Sequence, residues 1–547
     1  MILATFEPYS RRGLGFTAAQ QNGATCLHHD LIESALASRA IDNVHVFADP
    51  RVAPIDHAAV AELNARLGRS ALVVCRLNSL VKRSQSEPYV FFCRAGQLAS
   101  VCHLRASVSP SLFPICAVLH AAAWPRLLAD CISLLLLAQP YDVILASSQA
   151  GAQAFRSALA DAASLLASQG AEVAAARLPI VVQPLGASSL DLPGLDRSTA
   201  RSLLNLPADS VLALYFGRVS EFYKADLFPL ILAFRRARDL AAHPAFLVIA
   251  GQCSDPDYAQ SLDAFAGTLG LAGNIRILLN VAPTVKTLLF AAADIFVSPV
   301  DNIQETFGIA LLEAMAARLP VVASDWSGYR EIIADNHTGF LVPTLWNSPA
   351  AAHASWQAPY WFGPTVEGEI APHPTVDSPP LTDPLPRLIL DPALRASFGQ
   401  AGYDRFHARY SWTAVLPRLV SLWSDLRQRC PHPPQFPPTA HSGYQSFFAH
   451  YATAVYDTAW EVAPNYGASP DLRDALAQLA EKWAPGASSL LCRVASSPTT
   501  LGQLQAQYGA KPVDLLIKRG LLSLVPGPCG SLHASTSSPT LPDTSEA

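Results

Sequence analysis

A chain of 547 residues is too long for one compact core, and two or three domains are expected. Half of its residues are hydrophobic and 15% are charged, against roughly 25% in an average soluble domain, which excludes a disordered chain. The formal net charge of -5 leaves no electrostatic footprint for nucleic acid.

The N-terminus, MILATFEPYSRRGLGF, has no basic region followed by an apolar stretch. The most apolar segment, Ile132 to Ala138, falls far short of the ~20 residues that a membrane span requires. The ten cysteines, from Cys26 to Cys529, contain no Cys-x-x-Cys pair, so neither a zinc site nor a redox motif is expected. Dispersed cysteines in so large a chain read as small buried hydrophobes in a reducing compartment. The expectation is a cytoplasmic protein, with peripheral membrane contact left open.

In the first 185 residues, ILATF, VHVFA, YVFFC, ICAVLH, DVILASS and PIVVQP are strand candidates, separated by helical stretches such as Ala150 to Ala167. Residues 1–185 are therefore expected to form a Rossmann-like domain. Leu185 to Pro207, punctuated by Gly, Pro and Asp, reads as a linker. From Val211 the alternation is cleaner. VLALYF, FLVIAG, IRILL, DIFVSP and PVVAS alternate with helical runs at Asp226–Asp239, Pro256–Leu269, Thr284–Ala292, Thr306–Ala317 and Gly328–Ile333. Strands that are apolar throughout are those covered on both faces of a parallel sheet. Residues 208–427 thus predict a second doubly wound domain, with an irregular insertion over 346–386. The fold class is α/β, two Rossmann-like halves facing a cleft. PHPPQFPP is expected to be a stiff spacer and 440–525 a small, mainly helical unit with a winged-helix-like rhythm; the Ser/Thr/Pro-rich tail from 526 predicts disorder.

Chemistry concentrates in DNIQETFGIALLEAMAARLPVVAS. Glu305 follows a strand at the mouth of a loop that opens a helix, and Glu313 lies about two turns inside it. Ligands meet such loops at the carboxyl end of a parallel sheet. The amides around Phe307, Gly308 and Ile309 would face an anion at the helix start. A phosphate there leaves Glu305 to accept from sugar hydroxyls and Glu313 from a ribose. After the first strand of the same domain, FGRVSEFYKADL places Arg218 and Lys224 six residues apart, two cations suited to a diphosphate leaving group. The plainer account of each residue is a helix-terminal acid, a solvated face or an ordinary surface pair.

This block resembles the retaining, two-Rossmann-domain (GT-B) glycosyltransferases of group 1, the family 4-like kind that includes bacterial mannosyltransferases and sucrose synthase. Their signature is Glu, seven residues, Glu with Phe-Gly inside, here Glu305-Thr-Phe-Gly-Ile-Ala-Leu-Leu-Glu313. The likeness continues through GFLVP (339–343) and covers about residues 180 to 427; the N-terminal half matches by layout. It implies a nucleotide-diphosphate-sugar donor gripped by Arg218 and Lys224, an acceptor in the N-terminal domain, retention of configuration and no obligatory metal or cofactor. It also implies a role for His120, at a strand end, near the donor sugar or the reacting centre. Gly13 and Gly15, after the first strand, would bring amides to the phosphate, although the family's usual Pro-Gly-Gly is missing. Asp255-Pro-Asp257 mimics the acidic pair of metal-dependent enzymes, but its place at a helix start reads as a cap. A catalytically silent scaffold is the alternative, and residues 440–525 the place for a protein partner. A Rossmann oxidoreductase lacks its Gly-x-Gly-x-x-Gly turn. Neither the donor sugar nor the acceptor is legible.

Overall fold

A computed structural model describes residues 1–6, 23–49, 55–124, 126–171, 178–189, 195–346, 370–372, 374–434, 458–465, 470–482, 484–519 and 521–525. Gly13, Gly15, the Pro-rich spacer beyond residue 434 and the tail from 526 lie outside these residues. The chain divides into two compact units, Met1–Pro438 and Thr439–Ala547.

The first unit holds two parallel sheets. One contains β1 (Ile2–Thr5), β2 (Asn43–Ala48), β3 (Leu72–Arg76), β4 (Tyr89–Arg94), β5 (Ile115–Leu119), β6 (Val143–Ala146) and β7 (Ile180–Val182), in the order β3-β2-β1-β4-β5-β6-β7. The other contains β8 (Val211–Phe216), β9 (Ala245–Gly251), β10 (Ile275–Leu279), β11 (Ile295–Ser298), β12 (Val321–Ser324) and β13 (Gly339–Val342), in the order β10-β9-β8-β11-β12-β13. The winding is the same in both. The order reverses beside the first strand, between β1 and β4 and between β8 and β11, where crevices open at the carboxyl ends of the strands.

Burial explains which strands the pattern found. β5, β6, β9, β11 and β12 are buried along their whole length, as an apolar run predicts. β10 was expected to be covered on both faces. It is an edge strand, half-buried through most of its length and exposed at Leu279. β3, also at an edge, escaped the reading because its burial is mixed.

Three segments differ from expectation. The helix predicted from Thr306 starts at Ile309, because Gly308 takes φ 118° and interrupts the turn. Within 185–207, read as linker, a helix spans Arg197–Leu203, and the buried Arg201 donates to Asp294 at 2.5 Å. Within 346–386, β15 (Pro374–Val376) pairs antiparallel with β14 (Thr344–Trp346), and a helix covers Ser378–Thr382. The helix Trp412–Arg429 follows the second domain in sequence yet packs on the first, with Trp423 edge-on to Phe92 at 5.8 Å and Arg429 donating to the Pro140 carbonyl. No helix among the described residues is long and apolar enough to cross a membrane.

Among its described residues the second unit has a three-stranded antiparallel sheet and four helices, Pro470–Ala480, Ala487–Ser496, Leu501–Tyr508 and Ala510–Lys518, around a small apolar core.

The first domain buries one complete ion pair. Asp142 accepts from both terminal nitrogens of Arg105 at 2.6 Å, from the Ile115 amide at 2.9 Å and from the Gln139 amide at 2.7 Å. Arg105 and Asp142 are 1% and 0% exposed. Removing one partner of such a pair strands the other charge. Asp142→Ala is therefore expected to lower stability by about 3–5 kcal/mol, and Arg105→Met/Asp142→Leu by clearly less. Denaturant unfolding of both variants checks this.

Candidate functional site at the second sheet's carboxyl edge

β8 and β11 end side by side at the order reversal, and each feeds a polar loop. After β8 the chain turns tightly at Gly217, where β9 approaches so closely that a Cβ on Gly251 would sit 1.7 Å from the Gly217 carbonyl. Gly251 has φ 149°, so no other residue fits there. The turn presents Arg218, whose guanidinium donates to the Tyr223 carbonyl at 2.9 Å and lies 5.6 Å from the Tyr223 ring. Lys224 follows and pairs with Glu305 from the loop after β11.

Asn302 ties the two loops together. Its side chain donates to the Phe222 carbonyl at 2.7 Å and accepts from the Gln304 amide, while its carbonyl accepts from the Trp326 indole at 2.9 Å. Glu305 accepts from the amide of Phe307 at 3.2 Å, so that amide, expected to face an anion, is engaged within the loop. Gly308 sits against Tyr329, where a Cβ would come within 2.5 Å of the ring. Tyr329 in turn is 3.0 Å from the Ser298 hydroxyl. One turn into the Ile309–Ala316 helix, Glu313 accepts from Lys286 at 2.5 Å. Each acid of the Glu305–Glu313 pair is thus held by a lysine from a different element.

The same loop meets the first domain. Thr306 donates through Oγ1 to the His120 carbonyl at 2.8 Å, and its own carbonyl accepts from Ser148 at 2.6 Å. Ser148 also caps the helix Gln149–Ser168, accepting from the Gly151 amide at 3.0 Å. Glu331 completes that cap from the second domain by accepting from the Gln149 amide at 2.7 Å. A carboxylate at the N-terminus of a twenty-residue helix is favoured by the helix dipole. His120 therefore lies against the loop that carries Glu305, and its backbone makes the contact.

Burial, with Arg94 adding to it, pushes the His120 imidazole down to about 3. His28, stacked on Phe92 at 5.2 Å, is lowered well below its usual value by burial and then by His29, His120 and Arg94. Burial, with Asp226 second, lifts Asp301 to about 7. Asp255, read as a cap, accepts from the amides of Asp257 and Tyr258 at 3.1 Å.

Thr306, Asn302, Lys286 and Glu331 escaped the reading. Lys286 alone carried a signal, as a single charge within the otherwise uncharged helix PTVKTLLFAA.

Residues 196–356, which include Arg218, Lys224, Glu305 and Glu313, match the family described as Glycosyl transferases group 1. The chain is similar to the D-inositol 3-phosphate glycosyltransferase of Corynebacterium aurimucosum, 29% identical over 252 residues, 45% of this chain and 51% of the relative. It is also similar to the phosphatidyl-myo-inositol mannosyltransferase of Mycobacterium leprae, 27% identical over 255 residues, 45% of this chain and 56% of that one. The chain spans about half the length of these curated relatives. Among solved structures, Anabaena HepE in complex with UDP and glucose shares the fold, with a TM-score of 0.51 and 18% identity. That match covers 78% of this chain and 100% of HepE. The two-sheet GT-B fold is thereby shown.

The buried imidazole gives a pH test. An unfolded His120 takes up a proton near 6.5 and the folded one near 3. Between those values the unfolded chain binds more protons, so His120 makes stability fall as pH falls. From pH 7 to 5 its contribution declines by at most about 1.4 kcal/mol per pH unit. His120→Gln is expected to flatten the stability profile in that window, measured by denaturant unfolding at stepped pH.

Proposed function

We propose that the chain is a retaining glycosyltransferase. It moves a sugar from a nucleotide-diphosphate donor, bound at the second sheet's carboxyl edge, to an acceptor held by the first domain. The observation that carries this reading is the convergence of Arg218, Lys224 and Glu305 at the β8–β11 reversal, against the first domain at His120. Two of the three come from the loop after one strand and the third from the loop after its neighbour.

Lys224 and Glu305 neutralise each other. A donor diphosphate brings negative charge to the same spot and draws Lys224 away. Glu305 is then released to accept hydrogen bonds from the sugar hydroxyls, while Arg218 and the start of the Ile309–Ala316 helix share the phosphate charge. As the anomeric C–O bond breaks, negative charge grows on the departing phosphate, where fixed cations stabilise it most. The acceptor oxygen forms its bond on the face the phosphate leaves, which retains configuration, and its proton passes to the leaving phosphate. Held neutral by burial of its ring, His120 supports the reacting centre through its carbonyl and shape rather than as a charged acid. On this reading Arg218, Lys224 and the helix start supply the neutralisation, and no obligatory metal or cofactor is assigned. Orientation across the cleft supplies the remainder.

The relatives' names make inositol phosphates and phosphatidylinositol the first acceptors to try. The free thiols from Cys75 to Cys492 support a reducing compartment such as the cytoplasm.

The test is donor hydrolysis and transfer by the purified chain against a panel of nucleotide sugars. One donor is expected to be consumed. Lys224→Ala and Arg218→Ala should each lower the rate by about 10²–10³-fold, the scale for removing one group that stabilises developing charge. Glu305→Ala should abolish transfer. Absence of binding to every nucleotide and nucleotide sugar would sink the enzyme reading in favour of a silent scaffold.

A further inference from the structure

The helix Pro283–Ala292 is apolar on its inner side, burying Leu289, Phe290 and Ala292, and Lys286 is its single charged side chain. Three elements hold that ammonium. Phe216, the last residue of β8, has its ring centroid 5.3 Å from Nζ, and Phe290 of the same helix lies at 6.0 Å. Glu313, on the Ile309–Ala316 helix, accepts from Nζ through Oε1 at 2.5 Å.

An exposed lysine-carboxylate pair contributes little and reorients freely. Here Lys286 is 26% exposed and Glu313 13%, and two ring faces attract the cation beside the carboxylate. The ammonium cannot swing away without losing both rings, and the carboxylate orientation follows.

We infer that Lys286 is a positioning residue of the donor's ribose subsite and sets a preference for ribonucleotides over deoxyribonucleotides. This rests on the proposed function, together with the expectation from the sequence that Glu313 accepts from the donor's ribose. By holding Oε1, Lys286 turns Oε2 toward the ribose hydroxyls. By offsetting one negative charge, it lets a carboxylate stand close to a diphosphate. Lys224 and Lys286 then differ in role. Lys224 exchanges Glu305 for phosphate, whereas Lys286 keeps its partner throughout. The competing account is an ion pair that merely joins two helices, and its loss would weaken every ligand equally.

Calorimetric titration of the full-length protein separates the two accounts. The probes are UDP, GDP and ADP, each beside its 2′-deoxy and 3′-deoxy forms. For the best-bound base, the wild type is expected to favour the ribonucleotide by about tenfold, the value of one hydrogen bond to a charged group. Lys286→Met keeps the stem on the rings and should lower ribonucleotide affinity about tenfold while leaving the deoxy forms nearly unchanged. The preference then collapses, and Lys286→Arg restores part of it. Both ligands are compared on one variant, so a partial loss of folded protein cancels from the ratio. If Lys286→Met keeps the wild-type ratio while Glu313→Gln abolishes it, the positioning role is wrong and the ribose assignment stands. If Glu313→Gln also keeps the ratio, or the wild type has no preference, the ribose assignment itself falls.

Discussion

A lysine and a glutamate that neutralise each other at the end of two adjacent strands set the terms for this protein. Lys224 and Glu305 come from loops 81 positions apart and meet at the β8–β11 reversal. Neither would be tolerated alone in so enclosed a place, because a desolvated charge without a partner is costly. Their pairing lets a cation and a carboxylate stand together in an enclosed place, the one suited to phosphate and the other to hydroxyls in the proposed reaction. In the proposed reaction the donor's phosphate competes for the lysine, so donor binding and release of the carboxylate are coupled.

That site is tied to the other half of the molecule by a short segment. Thr306 follows Glu305, and its two polar groups are engaged by His120 and Ser148 of the first domain. Glu331 adds a carboxylate to the amides that open the helix Gln149–Ser168. A shift of one domain against the other must break these bonds or carry the Glu305 loop along. In the proposed reaction, closure and donor placement are thus one motion. The helix Trp412–Arg429 adds to the union, since it follows the second domain and packs on the first through Trp423.

The electrostatics of the cleft divide by domain. On the first domain's side burial keeps His28 and His120 neutral, so neither behaves as a proton donor at ordinary pH. On the second domain's side burial with Asp226 nearby brings Asp301 to about 7, on the loop that also carries Glu305. Permanent positive charge at the edge of the second sheet comes from Arg218, Lys224 and Lys286. Such a division suits a reaction in which charge develops on a leaving phosphate rather than on a protein acid.

By itself the sequence determined the doubly wound class, most of the strands buried on both faces, and the Glu305 loop leading into the helix of Glu313, with Arg218 and Lys224 upstream. The physical reason is locality: a strand covered on both faces writes an unbroken apolar run, and a ligand loop writes its polar residues between that run and the next helix. Edge strands β3 and β10 write a mixed pattern, so one was missed and the other was placed too deep. Only the tertiary structure decided who pairs with whom. Gly308 delayed the helix to Ile309 because Tyr329 packs against it, a contact made twenty-one positions along the chain. The partners of the two glutamates, Lys224 and Lys286, are likewise set by how strands and helices stack, as is the seating of Thr306 on His120 across the cleft. Such pairings depend on distances through space between residues far apart in the chain, and a one-dimensional pattern carries no record of them.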